Sequence, residues 1–175
     1  GILITFDCSY NLLQTLDVSG LQSMQSFNCS GNQLTALDLS NLSTLGNVQC
    51  GYNMLASLML SGSSFLSNVI CRANQLTGTI DLTEFPYLNT FDCTDNNLTA
   101  ILAKNGTDET LYFEGNLNLE YICNDDTQVP NVQLQIETAG LTNCHVNSYC
   151  NFSPGGNFYR IQGQARFDEN ANGCD

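Results

Sequence analysis

Cys8, Cys29, Cys50 and Cys71 recur every 21 residues, and Cys93 follows after 22. Asn11, Asn32, Asn53, Asn74 and Asn96 keep step, each three residues after its cysteine, and Leu13, Leu34, Leu55, Leu76 and Leu98 stand two residues further on. Phe6, Phe27, Val48, Val69 and Phe91 stand two residues before the cysteines. A chain that returns to the same residue types at a short fixed interval is constrained to stack copies of one coil, because no single copy can bury its own apolar face.

Each position in the coil has a physical task. Val48 and Cys50 alternate with Asn47, Gln49 and Gly51, the period of two that marks a strand with one buried face. Stacked coils then predict a parallel sheet along one side, with strands about 4.8 Å apart. After the strand the chain must turn inward, and an asparagine there offers a donor and an acceptor to backbone groups that the turn leaves unpaired. The leucines fill the interior, each contributing about 1.5–3 kcal/mol on burial. The cysteines take an inward strand position, where a free thiol behaves as a small buried hydrophobe. A ladder spreads its thiols along a line, whereas a metal site needs ligands that converge.

The pattern resembles the leucine-rich-repeat family, whose repeat runs L-x-x-L-x-L-x-x-N-x-L, over about Ile2 to Ile122. The resemblance implies a leucine-rich-repeat solenoid, mostly β, with a parallel sheet on one face. A 21-residue coil leaves little room for a return helix, so extended segments or single helical turns are expected around Leu37-Asp38-Leu39-Ser40 and Ile80-Asp81-Leu82-Thr83. Leu111, Phe113 and Asn116 supply a sixth coil, with Phe in place of the cysteine. The division expected is residues 1–122 for about six coils, 123–146 for a C-terminal cap and 147–175 for a linker, a strand and a loop module. The chain starts in mid-repeat without Met and reads as a fragment or processed product.

Val129, Val132 and Ile136 recur at helical spacing before Gly140, which predicts a short capping helix with Pro130 in its first turn. Asp125 and Asp126 would complement its N-terminal dipole. Four cysteines lie outside the ladder: Cys123, Cys144, Cys150 and Cys174. In an exported protein they would form two disulfides, with Cys123–Cys144 and Cys150–Cys174 the pairing favoured among three; in a reducing compartment they would stay free.

The tail reads Phe158-Tyr-Arg-Ile-Gln-Gly-Gln-Ala-Arg-Phe167 as a strand, then Asp168-Glu-Asn-Ala-Asn-Gly-Cys-Asp175. Oxygen side chains at Asp168, Asn170, Asn172 and Asp175 match a D-x-N-x-N-G-x-D calcium loop, since alternating positions on a tight loop aim several oxygens at one point. The competing reading is an Asn/Gly-rich turn whose carboxylates face water. Together with Asn118-Leu-Glu-Tyr-Ile-Cys-Asn-Asp-Asp126 and Val146-Asn-Ser-Tyr-Cys-Asn-Phe-Ser-Pro-Gly-Gly156, this segment resembles bacterial cell-surface proteins exported by type IX secretion. That resemblance implies an extracellular or cell-surface location and further domains of the same chain.

A formal net charge of −13, from 17 acidic and 4 basic residues, repels phosphate backbones and anionic lipid, so neither nucleic acid nor membrane insertion is expected. His145 is the single histidine, and no G-x-S-x-G elbow, Walker motif or dinucleotide glycine pattern occurs, so no enzyme is expected. Solenoids bind on their repeating sheet face, expected here to be concave. Its rows are small and polar except where Asn68, Ile70, Arg72, Thr90, Asp92, Tyr112 and Glu114 meet, which is the candidate ligand-binding face. Adhesion or recognition of a protein ligand is the leading reading; a rigid spacer and a carbohydrate-binding face built from the Asn, Gln and Asp rows are the alternatives.

Overall fold

The computed structural model describes residues 2–150. One strand of each coil joins a six-stranded parallel sheet in the order β1 (Thr5–Asp7), β2 (Ser26–Asn28), β4 (Asn47–Gln49), β6 (Asn68–Ile70), β8 (Thr90–Asp92) and β10 (Thr110–Tyr112). The return side is also extended. There β3 (Ala36–Asp38) pairs with β5 (Ser57–Met59), and β7 (Thr77–Asp81), β9 (Asn97–Leu102), β11 (Tyr121–Cys123) and β12 (His145–Asn147) form a second parallel sheet. The chain is therefore a leucine-rich-repeat-like β-solenoid in which both walls are strands. Phe27, Val48, Val69, Phe91 and Leu111 stack in register from the first wall, and Leu37, Ile101 and Ile122 face them from the second.

The asparagines stitch consecutive coils together. Asn53 Nδ2 donates to the Cys50 carbonyl of its own coil and to the Cys29 carbonyl of the preceding one, both at 3.1 Å. Its Oδ1 accepts the Leu34 N–H at 3.0 Å. Asn32, Asn74, Asn96 and Asn116 repeat the arrangement, each accepting from the leucine amide one coil back. Asn11 stands at the exposed end and bonds only within its own turn, to Cys8 and Ser9.

Immediately before every ladder asparagine the backbone is left-handed: Tyr10, Gly31, Tyr52, Ala73, Asp95 and Gly115 have φ between 53° and 78°. Four of the six are not glycine, and each such residue costs about 1–2 kcal/mol in isolation. Neighbouring coils hold the conformation in place: Tyr10, Gly31, Tyr52, Ala73 and Asp95 each donate their N–H to the next coil at 2.8–3.0 Å. Gly31 has a further role, because a Cβ there would lie 2.7 Å from the Tyr10 ring that covers it.

The C-terminal end departs from two sequence expectations. Helix α1 (Val129–Thr138) buries Val132 and Ile136 and has Pro in its first turn, but that turn contains no acidic residue and the N-cap Gln128 makes no side-chain cap. Asp125 and Asp126 precede the helix and serve the last coil instead. Asp125 Oδ2 accepts the Gly106 N–H at 2.8 Å, and Asp126 lies 3.5 Å from Lys104 Nζ. Gln128 Nε2 reaches the Glu109 carbonyl at 3.1 Å, which brings the helix over the edge next to β10.

The disulfide joins Cys123 to Cys150, with Cα atoms 5.2 Å apart, and Cys144 is free and buried. Strand register explains the correction. His145 is level with Tyr121, so Cys144 lies level with Glu120 and three residues short of Cys123. Three residues of strand are about 10 Å, beyond the reach of a disulfide. Cys150, three residues past the Asn147 that pairs with Cys123, turns back to it. Cys150–Cys174 is thereby excluded as well.

Candidate binding face

The side chains singled out on the six-stranded sheet are brought together by its register. Asn68, Thr90 and Thr110 form one outward row, and Ile70, Asp92 and Tyr112 the next. Arg72 follows β6 and spans three coils. Its guanidinium carbon lies 5.2 Å from the centroid of the Tyr52 ring, and its Nη1 lies 3.9 Å from Asp92 Oδ2. Gly51 clears the path for its stem, since a Cβ there would come within 3.3 Å of Arg72 Cγ. Asp92 is 8% exposed and is oriented by Thr94, which donates its N–H at 3.0 Å and its Oγ1 at 2.7 Å to Oδ1. Ile70 is partly exposed, while Tyr112 and Glu114 face solvent.

Energetically the cluster is lightly held. The Arg72 side chain is about half exposed, so its contact with Asp92 contributes roughly 0–1 kcal/mol, and the cation–π contact roughly 0.5–1 kcal/mol. The guanidinium thus keeps most of its capacity for a partner. Tyr52 is the member that sequence reasoning missed. It sits outside the alternating strand, at the left-handed turn, where a period of two gives no side-chain direction. The recurrence of Tyr10 and Tyr52 two coils apart was the available signal.

The cysteine ladder is chemically quiet. Cys29, Cys50, Cys71 and Cys93 have no exposed surface and are all free, and Cys8 at the open end is partly buried. Loss of hydration pushes the Cys29 thiol up to about 12 and Cys144 up to about 11, and raises Cys50, Cys71 and Cys93 as well. Such burial keeps these thiols protonated and disfavours nucleophilic chemistry at them. Among the described residues no group of three or more His, Cys, Asp or Glu side chains is placed to hold a metal ion. The calcium-loop residues Asp168, Asn170, Asn172 and Asp175, and Cys174, lie outside the described residues. His145 is exposed in β12, and its backbone N–H donates to the Glu120 carbonyl at 2.9 Å. No described helix is long and apolar enough to cross a membrane.

No protein-family model matches the chain, and no curated protein matches it. Among solved structures it is similar to the functional domain of InlJ from Listeria monocytogenes, a domain that includes a cysteine ladder. The likeness has a TM-score of 0.61 and 27% sequence identity, and it covers 70% of this chain and 31% of that one. The chain thus spans less than a third of that structure's length. The described residues form a leucine-rich-repeat-like β-solenoid with a buried cysteine ladder, a fold that is typically non-catalytic, and in that fold the chain is similar to InlJ.

Proposed function

We propose that this chain is a non-catalytic binding module of a bacterial surface protein and that it recognises a protein ligand, in adhesion, on the outer face of the six-stranded sheet. The observation that carries the reading is the Tyr52–Arg72–Asp92 cluster beside Ile70 and Tyr112, where an arginine and two tyrosines gather on a mostly small and polar face. Similarity to a bacterial repeat domain supports it, and the Cys123–Cys150 disulfide supports an extracellular location. Export by the type IX route rests on the sequence resemblance of the end segments, and immunodetection on intact cells of a secretion-deficient strain tests it. The calcium loop is likewise a sequence reading: calorimetry with calcium should show binding heat that Asp168→Ala removes.

The test of function is attachment of the purified chain to cells or candidate ligands, with Arg72→Ala and Tyr112→Ala variants. Loss of attachment supports recognition through this face. Equal attachment by wild type and variants sinks it and favours the rigid spacer. Binding on a glycan array that the two variants retain would favour a carbohydrate face built from the polar rows instead.

A further inference from the structure

The return wall has one break. β3 and β5 form one sheet and β7 begins the next, so no ladder joins β5 to β7 although their coils are consecutive. The cause is legible in the interval of 22 residues between Cys71 and Cys93. Two residues separate the turn leucine from the return strand's inward residue in the neighbouring coils: Thr35-Ala36, Ala56-Ser57 and Thr99-Ala100. Between Leu76 and Ile80 there are three, Thr77-Gly78-Thr79. Gly78 takes up the extra residue with φ +74°, and the register of β7 against β9 shifts beside it.

Three observations mark this break as a receptive site. First, backbone groups point into it. The Leu39 N–H donates to the Met59 carbonyl and the Leu82 N–H to the Leu102 carbonyl. Polar groups alternate sides along a strand, so those of Leu58 and of Asp81 face across the break. Second, the inward row is incomplete there. Leu37, Ile101 and Ile122 are at most 1% exposed, whereas Leu58 and Ile80 are only partly buried, as residues of this row otherwise are at the two ends of the stack, Leu16 and Val146. Third, a cleft of about 380 Å³ lies between the two strands, with Asp81 and Glu84 on its wall and no basic residue.

We infer that the break between β5 and β7 is a strand-addition site for an extended peptide of a partner protein that carries an apolar residue followed by a basic one. The peptide's main chain would pair with both edges, the mode by which open sheet edges recognise peptides. Its apolar side chain would complete the row between Leu58 and Ile80. The next side chain points outward between Met59 and Asp81, where a Lys or Arg meets a carboxylate as a cross-strand neighbour.

The probe is a fluorescein-labelled Thr-Val-Lys-Val-Thr peptide, followed by anisotropy with the whole chain. Saturable binding with Kd below about 1 mM is expected, and it should be lost when the peptide's main-chain amides are methylated. Deleting Gly78 restores the two-residue spacing, lets β5 pair with β7 and should abolish binding while the far-UV strand signal stays. Leu58→Trp, which fills the row without altering the spacing, should do the same and serves if the deletion does not fold. Asp81→Lys should weaken binding about fivefold, and a Thr-Val-Glu-Val-Thr peptide should recover it. Binding that fails to saturate, that survives amide methylation, or that is indifferent to both Leu58→Trp and Asp81→Lys overturns the inference.

Discussion

Replacing Asn53 by Ala tests the ladder where it is fully enclosed. The side chain makes four hydrogen bonds, and their losses are unequal; the weakest, from Nδ2 to the Gly51 carbonyl at 3.2 Å, matters least because that carbonyl keeps the Gly31 N–H. The Cys29 carbonyl accepts from Asn32 as well as Asn53, and the Cys50 carbonyl from Asn74 as well as Asn53, so each keeps one partner. Those two losses amount to about 0.5–1 kcal/mol each. The buried Leu34 N–H has only Asn53 Oδ1 and would be orphaned, at about 1–3 kcal/mol. The sum is about 2–5 kcal/mol, a large share of the roughly 5–15 kcal/mol that holds a domain together. Asn11→Ala is the internal control. Asn11 is exposed and bonds only to Cys8 and Ser9 carbonyls that water can reach, so its loss should stay under about 1 kcal/mol. Urea titration followed by far-UV circular dichroism should place the Asn53→Ala midpoint well below that of Asn11→Ala, with Tm lower by about 10 °C. Equal midpoints for the two variants would refute the claim that the buried amide carries the stability between coils.

Further outcomes follow from burial, linkage and the disulfide. In native protein at pH 8, iodoacetamide should label Cys8 well before Cys29, Cys50, Cys71, Cys93 or Cys144, as peptide mass spectrometry would show; early labelling of Cys50 contradicts the enclosed ladder. Desolvation raises the Glu109 carboxyl above its ordinary 4.5, so its charge opposes folding at neutral pH and the penalty fades as pH falls through the folded value. Glu109→Gln should therefore melt above wild type at pH 7, and the gain should vanish below pH 4.5, where both forms are neutral. Asp7, Asp17 and Asp38 behave oppositely, because hydrogen bonds from Ser9, Ser19 and Ser40 lower them from 3.8; their contribution is complete above that pH and lost as acid protonates the folded carboxylates. The Cys123–Cys150 bridge closes 27 residues that include α1, so Cys150→Ala should lower stability by about 3 kcal/mol, with protection against hydrogen exchange lost first in α1 and β12. Uniform loss along the solenoid would argue against a local role for the bridge.

Equal spacing of like residues was enough to read the solenoid, because stacking is the only way for such short apolar repeats to bury themselves. The inward cysteines, the asparagine at each bend and the first-wall strands all follow from periods of 21 and two, which are properties of the chain itself. The left-handed residues before each asparagine were not legible, since Tyr52 and Ala73 have no local preference for that backbone, Asp95 only a weak one, and all three are held there by hydrogen bonds to the coils beside them. The same holds for the aromatic partner of Arg72, for Asp125 turning to Gly106 rather than to the helix, and for Cys123 choosing Cys150. Each depends on which residue of one coil stands level with which residue of the next. Register is a relation between strands, decided by packing across the whole stack, and a one-residue difference such as Gly78 is small in the sequence but separates two sheets in the fold.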